Sequence, residues 1–400
     1  MKNKIDIIFK ICLQGGGAAL GFLSILLLAK SIDAAEFAQY NLILTGAMLI
    51  NTSSSLGLSQ YANIYVPGKN EIEKNKFYTV SFYTVLMVSG LLSFVYLLTY
   101  EIPNTSLAFL LLITLSINFF SKSKMTTEGH VNKAIIHQNL IVPISLIFSI
   151  LWCELIWEVK LSNIITIVML EVFILNMIVA KEIEKVNLKE IKDIYSNIKI
   201  SFTMMCTSVM QLSFRFIDIL MLPLLGFTLE QIALYIVATK LNILFVFAQN
   251  FIITKYTSVF SKLAKEEKYC NLKAIFKKVR LYLIAYSLLL LVPSFIFSEM
   301  LVTVFGEEYK EASTILRVLI VGALFNNFAG PAGLLLNING MHKFNYYNTL
   351  FCCVLFVLLT IFLGEIFGLI GVAMANTTAV ALRNCVAYWK IKGFLRNTKS

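Results

Sequence analysis

The feature that most constrains this chain is an apolar run of about twenty residues that recurs twelve times. A helix crossing a bilayer needs about 20 mostly apolar residues, because each adds about 1.5 Å to a hydrocarbon core of about 30 Å. The qualifying segments are 7–29, 37–58, 77–100, 105–121, 134–152, 161–180, 200–225, 231–254, 279–298, 312–336, 346–364 and 367–389. Composition excludes a soluble alternative. Hydrophobic residues make up 58% of the chain and charged ones 14%, whereas soluble domains hold about 45–50% and about 25%. Such an excess needs lipid as its solvent rather than a larger core.

Charge between the spans tests this map, since Lys and Arg favour cytoplasmic connections. Twenty-seven basic residues fall on one set of alternate connections, and only Lys30, Lys160 and Lys310 on the other. Both termini are therefore expected in the cytoplasm, with the chain in the bacterial inner membrane. The N-terminus carries basic residues before an apolar run, like a signal peptide. That run is long and lacks an Ala-x-Ala site, so it is read as an uncleaved first span. The polar connection 181–199 divides the chain into two sets of six spans, expected as lobes 1–190 and 191–400. Six spans per half would relate any repeat by an axis along the membrane normal.

Several function classes drop out. The net charge of +11 lies in short clusters between apolar runs, so it reports topology and calls for no nucleic acid. Seven scattered cysteines without a CxxC give no disulfide framework or metal site and are expected as small packing residues. No GxxxxGK[ST] loop is present, and no connection is long enough for an ATP-hydrolysing or catalytic domain. His130, His137 and His342 carry no catalytic signal. No cofactor is expected.

With Lys10 and Arg280 at span edges counted among the connections, six charged residues fall inside the spans, where charge is costly and usually faces a cavity or a partner. Arg215 and Asp218 lie three apart in span 7, so an ion pair on one helix face is available. Lys240 sits near the midplane of span 8, too deep to reach the interface easily. Glu171 has a similar depth in span 6. Arg317 and Arg383, in spans 10 and 12, are nearer interfaces to which long side chains can extend. Four cations against two carboxylates suit an anionic head group such as a phosphate. Gln14 with Gly15, Gly16 and Gly17, and the stretch 51–57 (NTSSSLG), give small polar helix surfaces, read as close packing or as a bent helix beside water. Asn326, Asn327, Gly330 and Pro331 suggest a kink in span 10 with freed carbonyls facing a cavity.

Four stretches carry a resemblance: LLLAKSIDAAEFAQYNLILT (26–45), IDILMLPLLGFTLEQIALYIVATKL (217–241), VFGEEYKEASTILRVLIVG (304–322) and FGLIGVAMANTTAVALRN (367–384). In that order, at spans 1–2, 7–8, 10 and 12, they resemble the polysaccharide (O-antigen, repeat-unit) flippases of the multidrug/oligosaccharidyl-lipid/polysaccharide exporter superfamily. One departure is span 8, which has no Pro before the Ser261 loop and carries Lys255 there. The resemblance implies an all-α membrane protein with two six-helix lobes around a central cavity. It implies an undecaprenyl-diphosphate-linked oligosaccharide as substrate, moved to the periplasmic leaflet for O-antigen, lipopolysaccharide or capsule assembly. Membrane lipid, a polysaccharide polymerase and a chain-length regulator would be its partners. The candidate substrate-binding residues are Arg215, Lys240, Arg317, Arg383, Asp218, Glu171, Gln14 and Asn326.

Two alternatives compete. A cation-coupled drug or metabolite antiporter on the same fold would need an essential carboxylate, for which Glu171 and Asp218 are the candidates. A membrane glycosyltransferase would need acidic motifs in its first outer loop, which offers only Asp33 and Glu36.

Overall fold

The computed structural model describes residues 2–100, 102, 104–180 and 198–397, and every regular element among them is helical. The connection 181–197, where the sequence divides the chain, lies outside the described residues. By packing, the chain separates into Met1–Ser213 and Phe214–Ser400. Eight described helices are long and apolar enough to cross a membrane, or nine if a bent pair counts as one. One of the eight is long enough for two crossings, and the remaining apolar runs are also helical, so the protein is a multi-pass membrane protein of about twelve spans.

In the first unit, α1 (Lys2–Ser31) is followed by α2 (Ala34–Ser54), whose first turn is capped by Asp33 accepting from the Glu36 N–H at 2.7 Å. The Glu36 carboxylate accepts in turn from the N–H of Leu161. Both acids of this first connection thus serve helix ends. Span 2 bends by 45° between α2 and α3 (Leu58–Tyr65). Gly57 makes the break possible: its φ is 82°, and a Cβ there would fall 1.8 Å from the carbonyl oxygen of Ser201. The stretch 51–57 is therefore both bent and, at Gly57, closely packed. Helices α4 (Glu71–Thr99), α5 (Thr105–Thr127), α6 (Val131–Asn139), α7 (Ile141–Ile156) and α8 (Leu161–Ala180) complete the unit. In the glycine run of α1, close packing holds at Gly17, where a Cβ would meet Asn139 Cβ at 2.6 Å, but not at Gly15 and Gly16, which have nothing within 4 Å among the described residues.

The division between units falls within α9 (Ile198–Leu224). A short turn leads to α10 (Leu229–Lys265), started by a capping box between Thr228 and Gln231. With no Pro in span 8, α10 runs unbroken for 37 residues, about 55 Å at about 1.5 Å each. Then come α11 (Tyr269–Tyr286), a π-helical turn at Ser287–Leu291, α12 (Val292–Ile296) and α13 (Ser298–Thr303). The π turn is fixed by the buried Asn327 amide, which donates to Ser287 Oγ at 2.9 Å.

Span 10 is broken as expected, into α14 (Ala312–Ala329) and α15 (Ala332–Ile338), at Gly330 (φ 67°) and Pro331. The freed carbonyl of Phe328 does not face open space: Arg280 Nε donates to it at 2.7 Å, while Arg280 Nη1 donates to Tyr388 Oη at 2.8 Å. That corrects the expectation of cavity-facing carbonyls at this position. The last helix, α16 (His342–Asn397), covers spans 11 and 12 and turns at Gly368 (φ 60°). The packing reading of cysteine holds at Cys153 and Cys352, which are buried, but not at Cys206 and Cys270, which are exposed.

Candidate functional site

Helices α9 and α10 form a hairpin closed at Leu225–Thr228, so residues equally far from the turn share a depth. Asp218 and Tyr235 each lie six residues from the near end of their helix, about 9 Å down. At that level Tyr235 Oη donates to Asp218 Oδ2 at 2.7 Å. Asn376 of α16 donates its amide to the same oxygen at 2.9 Å, and the Ile219 N–H donates to Oδ1 at 2.9 Å. Asp218 is 1% exposed and Tyr235 fully buried. Three neutral donors on one carboxylate tie α9, α10 and α16 together with no counter-charge.

This arrangement leaves unmade the ion pair that the spacing makes available. Arg215 and Asp218 are correctly spaced for it, but among the described residues they make none, because Tyr235 and Asn376 occupy the carboxylate. Arg215 is exposed on α9, with its guanidinium carbon 5.5 Å from the Phe216 ring centroid.

About one turn below the Asp218 level lie Arg215 and Lys240. They lie nine and eleven residues from the turn, about 14 and about 17 Å down, and repel one another. Lys240 is half-buried and has no hydrogen-bond or ion-pair partner among the described residues. Arg383 approaches the same helix from α16, its guanidinium carbon 4.2 Å from the Phe214 ring centroid. Such a contact retains the charge while contributing about 0.5–2 kcal/mol.

Other candidates lie apart from this group. Arg317 donates from Nε to Ser298 Oγ at 2.6 Å, joining α14 to the start of α13. Asn326 is half-buried on α14, and its backbone carbonyl accepts from the Gly330 N–H at 3.2 Å. Gln14 and Glu171 belong to the first unit: Gln14 is exposed on α1, and Glu171 is half-buried on α8, hydrogen-bonded with Ser145 of α7. Tyr235 and Asn376 are the functional-level residues that charge counting overlooked. The hairpin symmetry about Leu225–Thr228 is the sequence signal that finds Tyr235.

The multi-pass helical fold has counterparts among solved structures. The chain is similar to the solved structure of a multidrug resistance MATE family transporter of the MOP superfamily in its inward-facing conformation. That match has a TM-score of 0.70 at 12% identity and covers 96% of each chain. The chain is likewise similar to the lipid II flippase MurJ, with a TM-score of 0.71 at 16% identity over 96% of this chain and 87% of that one. A third similar structure is a MOP superfamily transporter from Pyrococcus furiosus, described as having a binding pocket of reversed polarity. There the TM-score is 0.59 at 13% identity, over 98% and 95% of the two chains. No family model matches the chain, and no curated protein does. The protein therefore has the fold of MOP-superfamily transporters.

Proposed function

We propose that the protein is a flippase for a lipid-diphosphate-linked oligosaccharide, of the undecaprenyl-diphosphate type used to build O-antigen or capsule. In this reading it works in the bacterial inner membrane, with both termini cytoplasmic, alongside a polysaccharide polymerase and a chain-length regulator. The observation that carries the reading is the pair Arg215 and Lys240: two cations in spans without a counter-charge among the described residues, while Asp218 is already satisfied by neutral donors. Bare cations in hydrocarbon are costly, so an exposed Arg215 and an unpartnered Lys240 are tolerated where they meet water or an anion. A diphosphate supplies two adjacent negative groups, and Arg is shaped to bind phosphate oxygens in pairs. The fold shared with the lipid II flippase adds support.

The test is export in cells lacking the gene. Lys240→Ala is expected to abolish surface polysaccharide at unchanged membrane abundance, with Lys240→Arg retaining more export than Lys240→Gln. Equal loss in the Arg and Gln variants would count against a charge requirement.

Asp218 favours a second reading, a cation-coupled antiporter on this fold. Its carboxylate is fully buried without a counter-ion, the setting in which a proton or cation could be exchanged. Asp218→Asn keeps an acceptor for Tyr235 but cannot carry a charge. If this variant alone abolishes ion-dependent efflux of a small cationic dye, and Lys240→Gln leaves that efflux intact, the antiporter reading prevails.

A further inference from the structure

We propose that the exposed basic end of α11, with the adjoining end of α16, binds the head groups of anionic phospholipids in the surrounding leaflet. The argument starts from where the lysines point. In α11 the core side is Leu272, Phe276, Val279 and Leu283, all buried. The opposite side carries Leu281 (63% exposed), Tyr282 (42%), Leu288 (60%) and Leu289 (74%), an apolar stripe of the kind that contacts lipid. Residues four apart share a helix face. Following that stripe toward the start of α11, Leu281 gives way to Lys277 and Lys273, and Tyr282 to Lys278. All three lysines are exposed, and none has an ion-pair partner among the described residues. They therefore continue the lipid-facing stripe.

Depth agrees. The helical run Tyr269–Ile296 is 28 residues, about 42 Å, against a hydrocarbon core of about 30 Å. The surplus at the Tyr269 end puts the three lysines at the head-group layer. Tyr282 marks the interface just below, with Lys278 Nζ 5.9 Å from its ring centroid. The end of α16 repeats the pattern: Trp389 is 66% exposed, Lys392 Nζ lies 5.0 Å from its ring centroid, and Arg396 follows one turn later. The two ends are joined by packing, since Tyr388 lies against Phe276 and Arg280, and Tyr269 against Phe394. A buried cluster from Phe260 to Leu395 underlies them, so the cations stand on a packed base rather than on a loose loop. Across 255–280 and 386–397 the only acids are Glu266 and Glu267. Glu266 already pairs with Lys262 and Lys268. A cationic, aromatic-rimmed stripe at this depth complements a phosphate-bearing head group of net negative charge.

The full-length protein in a neutral detergent would be titrated with phosphatidylglycerol and with phosphatidylcholine of the same acyl chains, reading thermal stability. Phosphatidylglycerol is expected to raise the melting temperature, while phosphatidylcholine and soluble glycerol phosphate are not. The variant K273Q/K277Q/K278Q should need about tenfold more phosphatidylglycerol for the same shift, and K273R/K277R/K278R should behave as the parent. K262Q/K265Q/K268Q, which removes the same formal charge at the hairpin tip, should also keep the response. An undiminished response in the K273Q/K277Q/K278Q variant would overturn the proposal. So would equal loss in the tip variant, or an equal shift with phosphatidylcholine or glycerol phosphate.

Discussion

The two units handle polar groups inside the membrane in opposite ways. In the first unit several buried polar groups close as neutral pairs, although Tyr40 Oη, Ser93 Oγ and Asn118 Oδ1 are buried without a hydrogen-bond partner among the described residues. Ser116 Oγ donates to Asn51 Oδ1 at 2.7 Å, Ser121 Oγ to Asn176 Oδ1 at 3.3 Å, and Tyr96 Oη to the Leu42 carbonyl at 2.8 Å. Each satisfies a group that would otherwise be costly to bury. The second unit satisfies Asp218 in the same neutral way, then leaves Arg215 and Lys240 without a counter-charge among the described residues. Hydrogen bonding accounts for the first pattern at those three pairs. It does not explain the second, and a charge kept at such cost is where an anionic substrate is to be sought.

The sharpest way to break this comparison is to remove the repelling cations together. Arg215→Ala with Lys240→Ala is expected to abolish export while membrane abundance stays at or above the parent level, because a repulsion is relieved and Asp218 keeps its donors. A collapse in abundance would show that the cations are structural. Next in size, Tyr235→Phe removes one buried donor from Asp218 and should lower stability by about 1–3 kcal/mol, measured by thermal unfolding in detergent. Export should fall only as far as abundance does. Smaller again, Ser116→Ala in the first unit should cost about 1 kcal/mol and leave export per molecule unchanged. A specific loss of export there would give the first unit a substrate role.

The smallest effect belongs to an exposed pair outside the membrane. Lys310 beside Glu299 holds that carboxyl below the usual range and is itself raised. A depressed carboxyl contributes stability above its unfolded pKa and loses it as pH falls through the lowered value. Glu299→Gln should therefore leave the melting temperature at neutral pH nearly unchanged, as solvent screens such pairs.

The spans were legible because a twenty-residue apolar run has few alternatives. Their ends were less so. The connection 261–278 read as a polar loop, yet α10 continues to Lys265 and α11 begins at Tyr269. Lysine ends a hydropathy peak without ending a helix, since it is a good helix former. Arg280 read as a loop charge for the same reason, and its carbonyl partner exists only because Gly330 and Pro331 break span 10. Within the site, charge and depth singled out Lys240 and Arg215. The partner of Asp218 could not be read from spacing along one helix, because it was decided by Tyr235 on the next helix and Asn376 far along the chain.

The central claim is that the charge of Lys240 serves a diphosphate. It is tested most directly with purified protein in liposomes carrying a fluorescent polyprenyl-diphosphate-linked sugar, by following its transfer between leaflets. The expected result is transfer by the parent, most of that rate with Lys240→Arg, and none above protein-free liposomes with Lys240→Gln. Transfer by Lys240→Gln at the parent rate would contradict the claim.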